Sequence, residues 1–208
     1  MKKIILFVFI LTLQIIGANT IENKNQKVDS ILFLGDSLTE GLGVDTNDAF
    51  PKLVESLIQK ELKKNIKVIN GGVSGSTTAD GLDRLKWYLK RKPSIVFVTL
   101  GANDGLRGLD LTQSQKNLEE IIEYAQKADA KVMLASMLIP PNYGPKYALE
   151  FKTMYENLKT KYNLKNTPFL LQNVAGKKEL NQRDGIHPNE QGHKIIAQNV
   201  FTFLKEQL

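Results

Sequence analysis

A serine hydroxyl becomes a nucleophile when a base takes its proton and a third group holds that base in one tautomer. Candidates for all three roles stand in this sequence of 208 residues. There are two histidines. His187 lies in a loop bounded by Gly185 and Pro188, three residues after Asp184, so one short turn brings a carboxylate against the imidazole. His193 falls one helical turn after Asn189, has no strand-end partner, and reads as a surface residue. His187 is therefore the candidate base and Asp184 its orienting acid. Ser37 follows a short apolar run and Asp36, where the backbone turns into the next segment and exposes the hydroxyl. Helix capping alone would explain Asp36 and Ser37 equally well. The presence of His187 and Asp184 shifts the reading towards catalysis. The GxSxG pattern of α/β-hydrolases is absent around Ser37, so the strained elbow of that fold is not indicated.

A tetrahedral intermediate also needs donors for its oxyanion. Gly75 can bring a backbone N–H close because it has no Cβ, Asn103 can offer a side-chain amide, and the N–H of Ser37 is a third donor. Taken singly, Gly75 and Asn103 read as turn residues after strands. What joins them is their shared place in the chain.

Five apolar runs bounded by turn residues read as buried strands: 31–34, 66–69, 95–100, 132–134 and 169–171. Between them lie helical stripes, such as Phe50, Val54, Leu57 and Ile58, then Leu118, Ile121, Ile122 and Ala125, then Phe151, Met154, Tyr155 and Leu158. A last helix carries Ile195, Ile196, Val200, Phe203 and Leu204. Strand-helix alternation predicts a five-stranded parallel sheet covered by helices on both faces. In such sheets ligands bind beyond the carboxyl ends of the strands. The first three runs lead into 35–38, 70–75 and 101–105, which carry glycines and small polar residues, and 184–189 precedes the last helix. All four clusters can meet at one sheet edge.

Composition limits the alternatives. The length suits one domain. With no cysteine, thiol catalysis, disulfides and cysteine-held metals are excluded. Two histidines and few acids near His187 lead us to expect no metal or organic cofactor. Lys2 and Lys3 precede an apolar run from Ile4 to Ile16 and then Gly17 and Ala18, the pattern of a signal peptide cleaved near residue 18. Thr12 and Gln14 interrupt that run, which is shorter than the ~20 residues a spanning helix needs. We therefore expect a single mature domain over 19–208, periplasmic or secreted. Residues 1 to 18 carry two lysines and no acid, so their removal lowers the net charge from +6 to +4. Cations are mixed with acids, as in Lys60, Glu61, Lys63 and Lys64, which points away from nucleic acid and allows at most transient contact with a membrane surface. No obligate protein partner is implied.

GDSL at 35–38, Gly75, GANDG at 101–105 and DGIHP at 184–188 together resemble the SGNH (GDSL) hydrolase family in order and spacing, over nearly the whole mature chain. GANDGLRG at 101–108 and PPNYGPKY at 140–147 are similar to its bacterial acyl-CoA thioesterase, lysophospholipase and arylesterase branch. The resemblance implies a three-layer αβα, flavodoxin-like fold. It also implies metal-free serine catalysis on small-molecule or lipid esters and thioesters, with a loop from Gly105 to Leu109 that moves over bound acyl chains. Ser76 stands where the branch often has an acid, which bears on substrate preference. Two other functions fit the same scaffold: carbohydrate O-acetyl ester hydrolysis, and non-catalytic binding of lipid or glycan.

Overall fold

The sheet is built from segments that are apolar on both faces. In the computed structural model, which describes residues 28–208, strand β1 (Ser30–Gly35) has Ile31 to Leu34 fully buried, and β3 (Ile95–Thr99) is buried throughout. Such strands need cover above and below, which parallel crossovers supply. With β2 (Lys67–Gly72) and β4 (Lys131–Leu134) they form one parallel sheet in the order β2-β1-β3-β4. The register sets Gly35 opposite both Gly72 and Thr99, so the turns after three strands begin at one level. Because the chain passes from β1 to β2 and then to β3 on the other side, the loops after β1 and β3 diverge and leave a crevice between them.

Among the described residues, seven α-helices accompany the strands: α1 (Ser37–Glu40), α2 (Phe50–Leu62), α3 (Gly81–Leu89), α4 (Ala102–Leu106), α5 (Leu111–Lys127), α6 (Pro145–Lys161) and α7 (Glu190–Leu204). Helix α2 packs with α7, and α5 packs with both α3 and α6, giving the layers of an αβα fold. One core joins sheet and helices, from Phe33, Phe50 and Phe97 to Phe151 and Tyr155. The signal peptide expected at 1–18 lies outside the described residues.

The fifth strand expected at 169–171 is absent among the described residues. That segment makes a single parallel bridge, Phe169 to Ser136, beyond the end of β4, through the Leu170 N–H and the Ser136 carbonyl. Pro168 has no N–H to give a ladder. Side chains take over the edge instead: the Thr167 hydroxyl donates to the Leu134 carbonyl, and the Lys159 ammonium donates to the Thr167 carbonyl at 2.9 Å and to the Ser136 hydroxyl. Strand β2 in turn extends through Asn70, Gly71 and Gly72, which the sequence places in the following loop.

Candidate active site

Ser37 is the first residue of α1, a single helical turn capped by Asp36, whose Oδ1 accepts the Leu38 N–H at 3.0 Å. The turn lies flat against the strand ends because glycine leaves room there. A Cβ on Gly35 would overlap the hydroxyls of Thr39 and Thr99, and one on Gly72 would overlap the backbone of Thr39 and Glu40. Thr39 and Thr99 share a hydrogen bond of 2.5 Å, and Thr99 also donates to the Leu34 carbonyl. From below, Nη1 of Arg84 donates to the carbonyls of Gly35 and Gly71 at 2.9 and 2.8 Å, tying the ends of β1 and β2 together. Burial pushes the Asp36 carboxyl up to about 6, against the lowering effect of the Leu38 N–H and the charges of His187 and Arg84.

On the other side of the serine, the loop Gln182–Asn189 delivers the imidazole. Nε2 of His187 is 2.9 Å from Ser37 Oγ, and Nδ1 is 2.7 Å from Asp184 Oδ2. The other Asp184 oxygen accepts the backbone N–H groups of Ile186 and His187. Those bonds, led by the one from the imidazole, hold the Asp184 carboxyl down at about 2, so it stays ionised in any ordinary buffer. An ionised acceptor fixes the proton on Nδ1 and leaves Nε2 to face the serine hydroxyl. The Gln182 N–H donates to the His187 carbonyl, and the Gln182 side chain reaches Leu42 and Pro188, closing the loop onto the segment after α1.

The candidate oxyanion donors Gly75 and Asn103 lie on two further loops. Gly75 has φ of +78°, and its N–H makes no hydrogen bond among the described residues; neither does the N–H of Ser37. Nδ2 of Asn103 donates one proton to the Ser76 carbonyl at 2.9 Å, which orients the amide and leaves its second proton free. Arg107 donates to the Gly75 carbonyl. Glu40 in α1 accepts from the Ser74 N–H at 2.8 Å and from its hydroxyl, so the Gly75 loop is tied to the serine turn as well. Hydrogen bonds thus join Ser37, His187 and Asp184, while the segment holding Gly75 is tied to the serine turn through Glu40 and to Asn103 through the Ser76 carbonyl.

The structure also adds groups that sequence reasoning passed over. Asp104 is buried and accepts from the N–H and hydroxyl of Thr78 and from the hydroxyl of Ser114, locking the Asn103 helix to the segment after Gly75. His193 is 1% exposed, not on the surface. Its Nδ1 accepts the Phe50 N–H at 3.2 Å and so caps α2, whose own N-cap is Ala49 with no side-chain acceptor. Burial draws its pKa down to about 4. The signal was present: His193, Ile196, Ala197 and Val200 form one buried stripe of α7. The expected mobile loop Gly105–Leu109 is in part the end of α4, with Gly108 at φ +64° and the Leu109 carbonyl accepting from the Tyr147 hydroxyl.

Residues 33–195, which hold all of these loops, match the model of the GDSL-like Lipase/Acylhydrolase family. The chain belongs to that family. It is 37% identical over 180 residues to esterase TesA of Pseudomonas aeruginosa, covering 86% of this chain and 89% of the relative. It is 35% identical over 170 residues to thioesterase 1/protease 1/lysophospholipase L1 of Escherichia coli, covering 81% and 80%. The fold is similar to the crystal structure of the psychrotrophic esterase EstA from a Pseudoalteromonas species, inhibited by monoethylphosphonate. The TM-score is 0.82 at 33% identity, over 86% of this chain and 98% of that one. As a member of this family, the chain is a serine hydrolase of carboxylic esters, with small-molecule esters as substrates.

Proposed function

We propose that Ser37, His187 and Asp184 carry out acyl transfer to water through an ester on Ser37. The hydroxyl attacks the substrate carbonyl while Nε2 of His187 takes its proton. The tetrahedral oxyanion is met by the N–H groups of Ser37 and Gly75 and the free amide proton of Asn103. His187 then protonates the departing alcohol or thiol, leaving the acyl group on Ser37 Oγ. Water, deprotonated by the same imidazole, repeats the attack and releases the acid. Asp184 keeps the imidazole in the tautomer that can accept at Nε2 and stabilises its charged form. The observation that carries the reading is the unbroken series from Ser37 Oγ to His187 at 2.9 Å and from His187 to Asp184 at 2.7 Å.

The chemistry assigned here calls for no metal, and among the described residues no three His, Asp or Glu side chains are grouped as a metal site. Activity should persist in EDTA. The names of the two relatives, an esterase and a thioesterase/lysophospholipase, extend the reading to acyl thioesters and lysophospholipids. Residues 19–208 form the mature domain, exported after removal of 1–18. The mass of the exported protein tests that boundary.

The deciding experiment treats the protein with a p-nitrophenyl phosphonate and finds the labelled residue by mass spectrometry. One phosphonyl group on Ser37, with loss of ester hydrolysis in step, is expected. Labelling elsewhere, or full activity after Ser37 is labelled, overturns the mechanism. Comparison of acyl-CoA, lysophospholipid and acetylated-sugar substrates by kcat/KM then fixes the preferred class.

A further inference from the structure

The catalytic loops occupy the carboxyl edge of the sheet. The opposite edge, where helices return to strands, is rich in exposed cations: Lys63 and Lys64 ahead of β2, and Lys90, Arg91 and Lys92 ahead of β3. Helix C-termini favour cations, so lysines there need no ligand to explain them. Helix α3 adds what the dipole does not account for. The chain's single tryptophan, Trp87, is 52% exposed near its end. The Arg91 guanidinium sits 5.0 Å from the indole, and Tyr88 meets the same ring edge-on at 4.8 Å. On neighbouring α5, Tyr124 is 43% exposed with the Lys86 ammonium 5.7 Å from its ring.

We propose that this face docks the enzyme on an anionic phospholipid bilayer, with Trp87 and Tyr124 entering the headgroup layer and Lys90, Arg91 and Lys92 meeting lipid phosphates. Indole and phenol rings with one apolar body and one polar tip settle at that depth. Cations beside them gain from the negative surface potential within a Debye length. A docked molecule presents Ser37 to the aqueous phase, and its action on soluble esters does not depend on docking. The inference is independent of the catalytic roles assigned above.

Because there is one tryptophan, its fluorescence reports on this face alone. The protein is titrated with vesicles of phosphatidylglycerol and phosphatidylcholine, and separately with phosphatidylcholine alone. A blue shift with the anionic vesicles only, reversed by salt and quenched by lipids brominated on their acyl chains, is expected. The triple variant Lys90→Gln, Arg91→Gln, Lys92→Asn keeps a residue that tolerates the φ of 50° at position 92. It should bind roughly 100-fold more weakly, at about fivefold for each cation, and hydrolyse p-nitrophenyl butyrate at the unchanged rate. Its melting temperature serves as the folding control. Three results overturn the proposal: vesicle binding without any change at Trp87, an equal response to neutral vesicles, or an equal response to a soluble polyanion such as heparin.

Discussion

Ser37 and His187 meet at 2.9 Å, yet the segments that deliver them differ in almost every physical respect. Around the serine, Asp36, Leu38 and Thr39 are at most 5% exposed, and the turn is held by close packing on Gly35 and Gly72 and by the Arg84 guanidinium beneath it. Around the histidine, the side chain of Asp184 is 46% exposed, Ile186 is also 46% exposed, and Gly185 at φ +77° has no atom within 4 Å of where a Cβ would stand. Packing places Ser37; hydrogen bonds accepted by Asp184 and donated by Gln182 place His187. A packed turn cannot be altered without loss of stability, whereas a solvated loop can lose its chemistry and keep its fold. The Ser37 turn is thus held in place by the core. The His187 loop sits against solvent, with the Asp184 side chain 46% exposed.

The most severe tests remove chemistry from each region while sparing its packing. Ser37→Ala and His187→Ala should each lower kcat by about 10⁶-fold, because members of such a triad act as a unit. Both variants should melt within a few degrees of the parent. If either retains kcat within tenfold, the two regions do not share one reaction. The next effect in size concerns Asn103. Its amide meets an oxygen that carries full charge only in the tetrahedral state, so Asn103→Ala should reduce kcat by about 100-fold to 1000-fold with KM little changed. A destabilised variant with normal kcat would instead make Asn103 a brace for Ser76, to whose carbonyl it already donates.

The packing itself is tested by a pair of glycines. Gly35→Ala forces a methyl into the Thr39 and Thr99 hydroxyls and should cost about 1 to 3 kcal/mol, with a fall in kcat as Ser37 shifts. Gly185→Ala meets open space and carries only the strain of positive φ, about 1 kcal/mol, with activity within a few-fold of normal. Thermal melts and kcat measured on both would reverse the contrast drawn here if Gly185→Ala proved the more damaging.

How much of this could be read in the sequence follows the same division. The strands at 31–34 and 95–100 were legible because continuous burial on two faces leaves uninterrupted apolar runs. The site was legible because strand ends concentrate Gly, Ser, Asn and Asp where the core stops needing apolar residues. The run at 169–171 has the composition of a strand, but Pro168 and the Thr167 and Lys159 side chains settle its edge in another way, and those are tertiary contacts no local pattern encodes. His193 reads as a surface residue because it has no strand-end partner, and Arg84 carries no motif that sets it apart. Their helical phase, with Ile196 and Val200 in one case and with Gly81 and Leu85 in the other, places both on the buried side. Asp104 could not be separated from its motif neighbours until Thr78 and Ser114 were seen to converge on it.

The effect that is smallest in the parent protein, because its two parts offset, distinguishes two buried titratable groups, one in the serine turn and one behind the histidine loop. His193 is held at about 4 by burial, so the folded protein disfavours its protonated form. Its contribution to stability is complete above the unfolded value of about 6.5 and is lost as the pH falls from there towards 4. Asp36 is raised to about 6, again by burial, so its contribution is complete below its ordinary value of 3.8 and is lost as the pH rises towards 6. The two cover nearly the same window with opposite sign, and each amounts to roughly 3 kcal/mol. In the parent protein they offset one another, and melting temperature should change little on their account between pH 4 and 6.5. Asp184, at about 2, releases its share below that window. Single variants expose the two slopes. With His193→Gln, only Asp36 remains, and the melting temperature relative to the parent should rise as the pH is lowered from 6.5 to 4. With Asp36→Asn, which keeps an acceptor for the Leu38 N–H, it should fall over the same range. Melting curves of the three proteins at half-unit pH steps check both signs. Parallel curves for parent and variants would mean that neither group is held in the protonation state assigned to it here.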